Sequence, residues 1–120
     1  MEDKEIIINS IIQKISLCRF NISNEKVLQQ QIFTILSIDF PELIKEYKLD
    51  KESIIDFYLN GIGIEVKIKG SPKSIYRQLE RYSNSEKINV LVLLTSKTLG
   101  LPQQINNKPI YYYNFNQSFF

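Results

Sequence analysis

The chain contains no histidine and a single cysteine, Cys18. Without an imidazole it cannot build a Ser-His-Asp or Cys-His triad, a His-ligated zinc hydrolase or a nuclease that uses histidine as its base. One cysteine excludes an intramolecular disulfide and a cysteine-rich zinc cluster, and fits a reducing compartment. Cys18 has no histidine beside it to ionise the thiol and reads as packing. No apolar run approaches the roughly 20 residues of a membrane span, and the N-terminus is acidic and then amphipathic, unlike a secretory signal. A soluble, cytoplasmic protein is expected. An excess of charge of one sign is also lacking. With a net charge of +2 and a pI near 8.6, any attraction to phosphate must come from local clustering. The chemistry left open is that of carboxylates, lysines and a hard cation.

At 120 residues the chain has the length of one domain. Asp3 to Leu17 reads as a helix, with Ile8, Ile11, Ile12 and Ile15 at helical spacing and acidic residues early, where they suit the helix dipole. Ser23 or Asn24 caps a second helix, Glu25 to about Ile38, whose Leu28, Ile32, Ile35 and Leu36 form one face. Leu43 to Leu49 reads as a strand. Ile88 to Thr95 is nearly continuous aliphatic, the mark of a central strand covered on both faces. After a polar loop from Lys97 to Lys108, Pro109 to Tyr113 reads as a last edge strand, followed by an aromatic tail ending in Phe119 and Phe120.

The stretch from Ile54 to Tyr82 carries the chemistry. Ile62, Ile64, Val66 and Ile68 alternate with Gly63, Glu65, Lys67 and Lys69, so one strand face is apolar and the other presents Glu65 and Lys67 side by side. Asn60-Gly61 tolerates the positive φ of a tight hairpin and joins this strand to Ile54 to Leu59, which brings Asp56 within reach of Glu65. Burying a carboxylate inside Ile-Ile-Asp-Phe-Tyr-Leu costs several kcal/mol unless it is hydrogen-bonded or metal-bound. Ser71-Pro72 then opens a helix to about Asn84. Ile75, Gln78, Leu79 and Tyr82 face inward on it, and Lys73, Arg77 and Arg81 form a basic stripe alongside.

Asp56, then Glu65-Val66-Lys67, then Gln78-x-x-x-Tyr82 resembles the motif series of the PD-(D/E)XK nuclease superfamily, especially its RecB-type branch, and Glu25 is similar to the family's acidic residue on the helix before the sheet. The motifs and their elements span about residues 25 to 95. The proline that usually precedes the Asp is replaced by Ile55. The resemblance implies a restriction-endonuclease-like αβββαβ core with a mixed central sheet, flanked here by an N-terminal helix and a C-terminal edge strand. It further implies a Mg²⁺-dependent nuclease, with Mn²⁺ as substitute, that cuts DNA to leave a 5′-phosphate. In that assignment Asp56, Glu65, the Val66 backbone carbonyl and Glu25 hold metal, Lys67 serves the attacking water, and Gln78 and Tyr82 steady the site. Lys69, Lys73, Arg77 and Arg81, with Gln29, would contact the nucleic acid.

Several of these residues have plain alternatives. Glu25 also reads as a first-turn acid serving the helix dipole, Gln29 either orients Glu25 or lies on a solvated surface, and Glu46 either joins the carboxylates across the hairpin or is an exposed strand residue. A non-catalytic nuclease-fold module that binds nucleic acid is the alternative function. A homodimer is expected through the isoleucine-rich first helix and the aromatic segment from Tyr111 to Phe120, on the ground that the latter lies outside the core order.

Overall fold

The computed structural model describes residues 3–116. Among them the chain forms three helices and six strands: α1 (Lys4–Ser16), α2 (Glu25–Asp39), β1 (Ile44–Lys48), β2 (Ile54–Leu59), β3 (Ile62–Lys67), α3 (Pro72–Ser83), β4 (Val90–Thr95), β5 (Gln104–Ile105) and β6 (Lys108–Asn114). The fold is α/β, with one mixed sheet in the order β1-β2-β3-β4-β6-β5. The pairs β1/β2, β2/β3 and β5/β6 are antiparallel, while β3/β4 and β4/β6 are parallel. No helix among the described residues is long and apolar enough to cross a membrane.

Local sequence accounts for most boundaries. Asn24, not Ser23, caps α2, its side chain accepting the Val27 N–H, and Ser71 accepts the Ser74 N–H at the start of α3. The hairpin between β2 and β3 turns through Asn60 at φ 46° and Gly61 at φ 88°, the two positive values that a two-residue turn of this hand requires. A side chain at Gly61 would also collide with Asn89, whose N–H donates to the Gly61 carbonyl.

The sheet has a core on each face. On one side Ile8, Ile11 and Ile15 of α1 and Leu28, Ile32 and Leu36 of α2 pack on Ile62, Ile64 and Val66; on the other, Ile75, Leu79 and Tyr82 of α3 pack on Ile55, Leu91 and Leu93. Every residue of β4 is buried, as its aliphatic run predicts. On the polar face of β3, Glu65 is buried as well, because Tyr82 of α3 lies against it and leaves it only 3% exposed, whereas Lys67 is half-buried.

Two expectations are corrected. The last strand is not at the sheet edge, since β6 inserts between β4 and the short β5, which forms within the stretch that reads as a polar loop. Nor does the aromatic segment lie outside the core. Tyr113 is buried, and Phe115 meets Tyr113 and Phe20 edge to face at 5.8 and 5.9 Å, so part of the aromatic area is covered within the chain, while Tyr111, Tyr112 and Phe115 stay half-buried. Phe119 and Phe120 lie outside the described residues. At the first helix, Ile6 and the C-capping Leu17 do remain exposed.

Candidate functional site

Strand β2 breaks its alternation at Asp56. Ile55 packs in the core under α3, whereas Phe57, two residues on, packs in the opposite core, where its ring stacks on Phe33 at 6.0 Å. Side chains two apart on a regular strand share a face, so the chain must twist between them. On β1, Glu46 sits opposite this point, between the pairs Lys45↔Phe57 and Tyr47↔Ile55, with φ at 54°. The β2/β3 register runs only from Leu59↔Ile62 to Phe57↔Ile64, and beyond it the strands part.

Carboxylates occupy the gap. The Asp56 N–H donates to Glu65 Oε1 at 3.1 Å, the Val66 N–H donates to Asp56 Oδ2 at 2.8 Å, and the Ile68 N–H donates to Glu25 Oε1 at 3.1 Å. Side chains thus satisfy backbone donors that a continuing ladder would have used. The last bond ties the start of α2 to the end of β3 and explains how Glu25, 31 positions before Asp56 in sequence, reaches the same place. Lys67 completes the group, its Nζ 3.8 Å from Glu65 Oε2.

Helix α3 holds Glu65 from above. Gln78 Nε2 donates to the Tyr82 hydroxyl at 2.8 Å, and that hydroxyl lies 3.0 Å from the Ile54 carbonyl and 3.1 Å from Glu65 Oε2. A phenol has one proton, so it cannot donate to both oxygens. The conflict disappears when Glu65 is protonated: Glu65 then donates to Tyr82, and Tyr82 donates to Ile54. The electrostatics agree. Burial, reinforced by the charge of Asp56, pushes the Glu65 carboxyl up to about 8, against opposing pulls from the Asp56 N–H, Lys67 and Tyr82. Burial raises Asp56 too. The hydrogen bond from the Val66 N–H, the neighbouring Glu65 carboxyl and the charge of Lys67 work the other way, and Glu25 adds to the rise. Burial and the Glu65 charge also raise the Tyr82 hydroxyl, which therefore stays protonated.

Tyr82→Phe removes the one hydroxyl that joins Gln78, Ile54 and Glu65. It is expected to cost about 1–3 kcal/mol of folding stability, because it strands a buried carboxyl and a carbonyl. Urea unfolding measures this; a loss under about 0.5 kcal/mol would mean the hydroxyl contributes little beyond its ring.

A cleft of about 550 Å³ opens beside this group, lined by Ser23, Asn24, Glu25, Lys26, Lys67, Lys69 and Gly70. Gly70, at φ 107°, turns the chain from β3 toward α3. The structure therefore gathers Asp56, Glu65, Lys67, Gln78 and Tyr82, with Glu25 and Lys69 at the cleft. Gln29 is half-buried on α2, and its side chain forms no hydrogen bond among the described residues. Lys73, Arg77 and Arg81 are exposed on α3 and do not line the cleft. Glu46 is exposed on β1, and the charges acting on Asp56 include Glu25 but not Glu46. Lys26 belongs to the cleft although its motif context does not mark it. The available signal was its position next to Glu25 in the first turn of a helix, where a cation opposes the dipole.

The donors are all oxygen, as a hard cation prefers. Asp56 and Glu25 are each anchored through one oxygen, leaving Asp56 Oδ1 and Glu25 Oε2 without a hydrogen bond among the described residues. A strand residue's N–H and C=O share an edge, so the Val66 carbonyl faces the same gap as its N–H. These residues fit a divalent cation, although among the described residues no three acidic side chains already stand together as a formed metal site. Compared with protein-family models, curated proteins and solved structures, the chain matches none.

Proposed function

We propose that this chain is a metal-dependent nuclease of restriction-endonuclease-like architecture, hydrolysing phosphodiester bonds in DNA. The observation that carries the reading is the convergence of Asp56, Glu65 and Glu25 with Lys67 at the parted ends of β2 and β3, beside a cleft lined by lysines. The element order from α2 to β4 is helix, three strands, helix, strand, in keeping with the resemblance of the motifs to PD-(D/E)XK nucleases.

Mg²⁺ or Mn²⁺ held by Asp56, Glu65, the Val66 carbonyl and Glu25 would polarise the scissile phosphate and acidify the attacking water. The chain's own residues do the rest. Lys67 orients the water and offsets the charge that builds on the phosphoryl oxygens as the new O–P bond forms. The bond to the 3′-oxygen breaks, leaving a 5′-phosphate and a 3′-hydroxyl. Gln78 and Tyr82 fix the Glu65 carboxyl, and Glu65 must release its proton before it can ligate a cation.

The test is a cleavage assay on single-stranded, duplex and branched DNA with Mg²⁺ or Mn²⁺, against a chelator control and with the product ends identified. Lys67→Ala is expected to slow bond breakage about 10²-fold or more while changing DNA affinity less than about threefold, because the lysine acts chiefly on charge that develops in the transition state. A variant that lost affinity alone would make Lys67 a phosphate contact. The second reading is a binding module of the same fold, whose carboxylates would take up no cation. Isothermal titration separates the two: an enzyme takes up Mg²⁺ or Mn²⁺ at these carboxylates and loses that uptake in Asp56→Asn.

A further inference from the structure

We propose that one nucleic-acid strand crosses the C-terminal end of β3 between the start of α2 and the β3–α3 turn, where Lys26 and Lys69 hold its phosphates from opposite walls of the cleft. The inference rests on the nuclease reading and names the path its substrate takes. Both lysines line the 550 Å³ cleft together with Lys67, Lys26 from the first turn of α2 and Lys69 from just beyond β3, and neither makes an ion pair among the described residues. The walls are held in place: the bond from the Ile68 N–H to Glu25 clamps the first turn of α2 to the strand end, and the Asn24 side chain caps that turn.

The position of Lys26 points to an anion. In the first turn of α2, facing the positive end of the helix dipole, a cation is locally unfavourable. A phosphate bound there reverses the sign, since it pairs with the ammonium and with the dipole together. Lysine suits this role as a point charge that follows a flexible backbone. The stripe on α3 is less well placed. Lys73, Arg77 and Arg81 lie outside the cleft, and Arg81 acts on Asp50, whose carboxyl is held low first by the Glu52 N–H and also by this arginine.

The experiment measures binding of a fluorescein-labelled 12-nucleotide single-stranded DNA by anisotropy, with Ca²⁺ in place of Mg²⁺, over a range of salt concentrations. Lys26→Ala and Lys69→Ala are each expected to weaken binding about fivefold or more and to lower the salt slope by about 0.7. Lys4→Ala makes the same charge change beside Gly61, at the other end of β3, and is expected to shift affinity less than about twofold. If Lys26→Ala matched the wild type in affinity and slope, or if Lys4→Ala weakened binding as much, the path would be overturned while any cleavage activity stood. If the Lys26 effect appeared but no DNA were cut with Mg²⁺ or Mn²⁺, the path would stand and the nuclease reading would fall. A wild-type protein that does not bind the oligonucleotide overturns the path, and cleavage of duplex or branched DNA then decides the nuclease reading.

Discussion

Asp56→Asn and Glu65→Gln are each expected to reduce Mg²⁺-dependent DNA cleavage about 10³-fold or more without unfolding the chain. In the proposed metal site each exchange would remove one of few negative oxygen ligands, and a loss of about 4 kcal/mol in transition-state stabilisation corresponds to that factor. The amides preserve shape. In Asp56→Asn the side-chain oxygen can still accept the Val66 N–H, so the strand geometry is retained while the charge is lost. Single-turnover cleavage of end-labelled DNA, with circular dichroism as a folding control, measures the effect. Full Mg²⁺-dependent activity in Asp56→Asn would rule out this metal site.

The same Glu65→Gln exchange is expected to stabilise the metal-free protein at neutral and alkaline pH, by an amount on the order of 2–4 kcal/mol. The sign follows from the direction of the shift. In the unfolded chain Glu65 ionises around its ordinary value of 4.5, but in the fold burial and the Asp56 charge hold it up to about 8. Between those values the unfolded state has released a proton that the native state keeps. Stability therefore falls as pH rises across the window, by at most about 1.4 kcal/mol per pH unit for this group, and levels off above about pH 8. Glutamine never ionises, and its amide can donate to the Tyr82 oxygen as the protonated acid does. Thermal melts from pH 4 to 9 should show the wild-type slope flattened in the variant, with a remainder from Asp56, whose carboxyl is raised as well. Mg²⁺ should oppose the slope, because a cation competes with the proton and binds more tightly as pH rises. A wild-type curve flat from pH 5 to 8 in chelator would show that Glu65 is ionised in the fold and paired.

Alternation, capping and turn chemistry are local properties, and they made much of this protein legible in the chain alone. Asn60-Gly61 specifies its hairpin through positive φ, Ser71-Pro72 starts α3, and the aliphatic run of β4 can only be an interior strand. The inward stripe of Ile75, Gln78, Leu79 and Tyr82 put a polar pair on a buried face, and the spacing of Asp56, Glu65 and Lys67 placed them on adjoining strands. Long-range packing decided the rest. Periodicity assigns residues to a face but does not say what covers it, so the burial of Glu65 beneath α3, and with it the raised carboxyl, appears only once the helix is in place. The twist of β2 at Asp56 likewise breaks a pattern that sequence reading assumes to be regular, because Ile55 and Phe57 answer to cores on opposite sides. Glu25 was open to two readings as a first-turn acid. Its bond to the Ile68 N–H, a contact across 43 positions, brings it to the carboxylates, whereas Glu46, nearer in sequence and opposite Asp56, stays on the exposed edge. The aromatic segment shows the same limit, since hydrophobicity states that it must be covered and only the insertion of β6 beside β4 settles that this chain covers Tyr113 and packs Phe115 against Phe20.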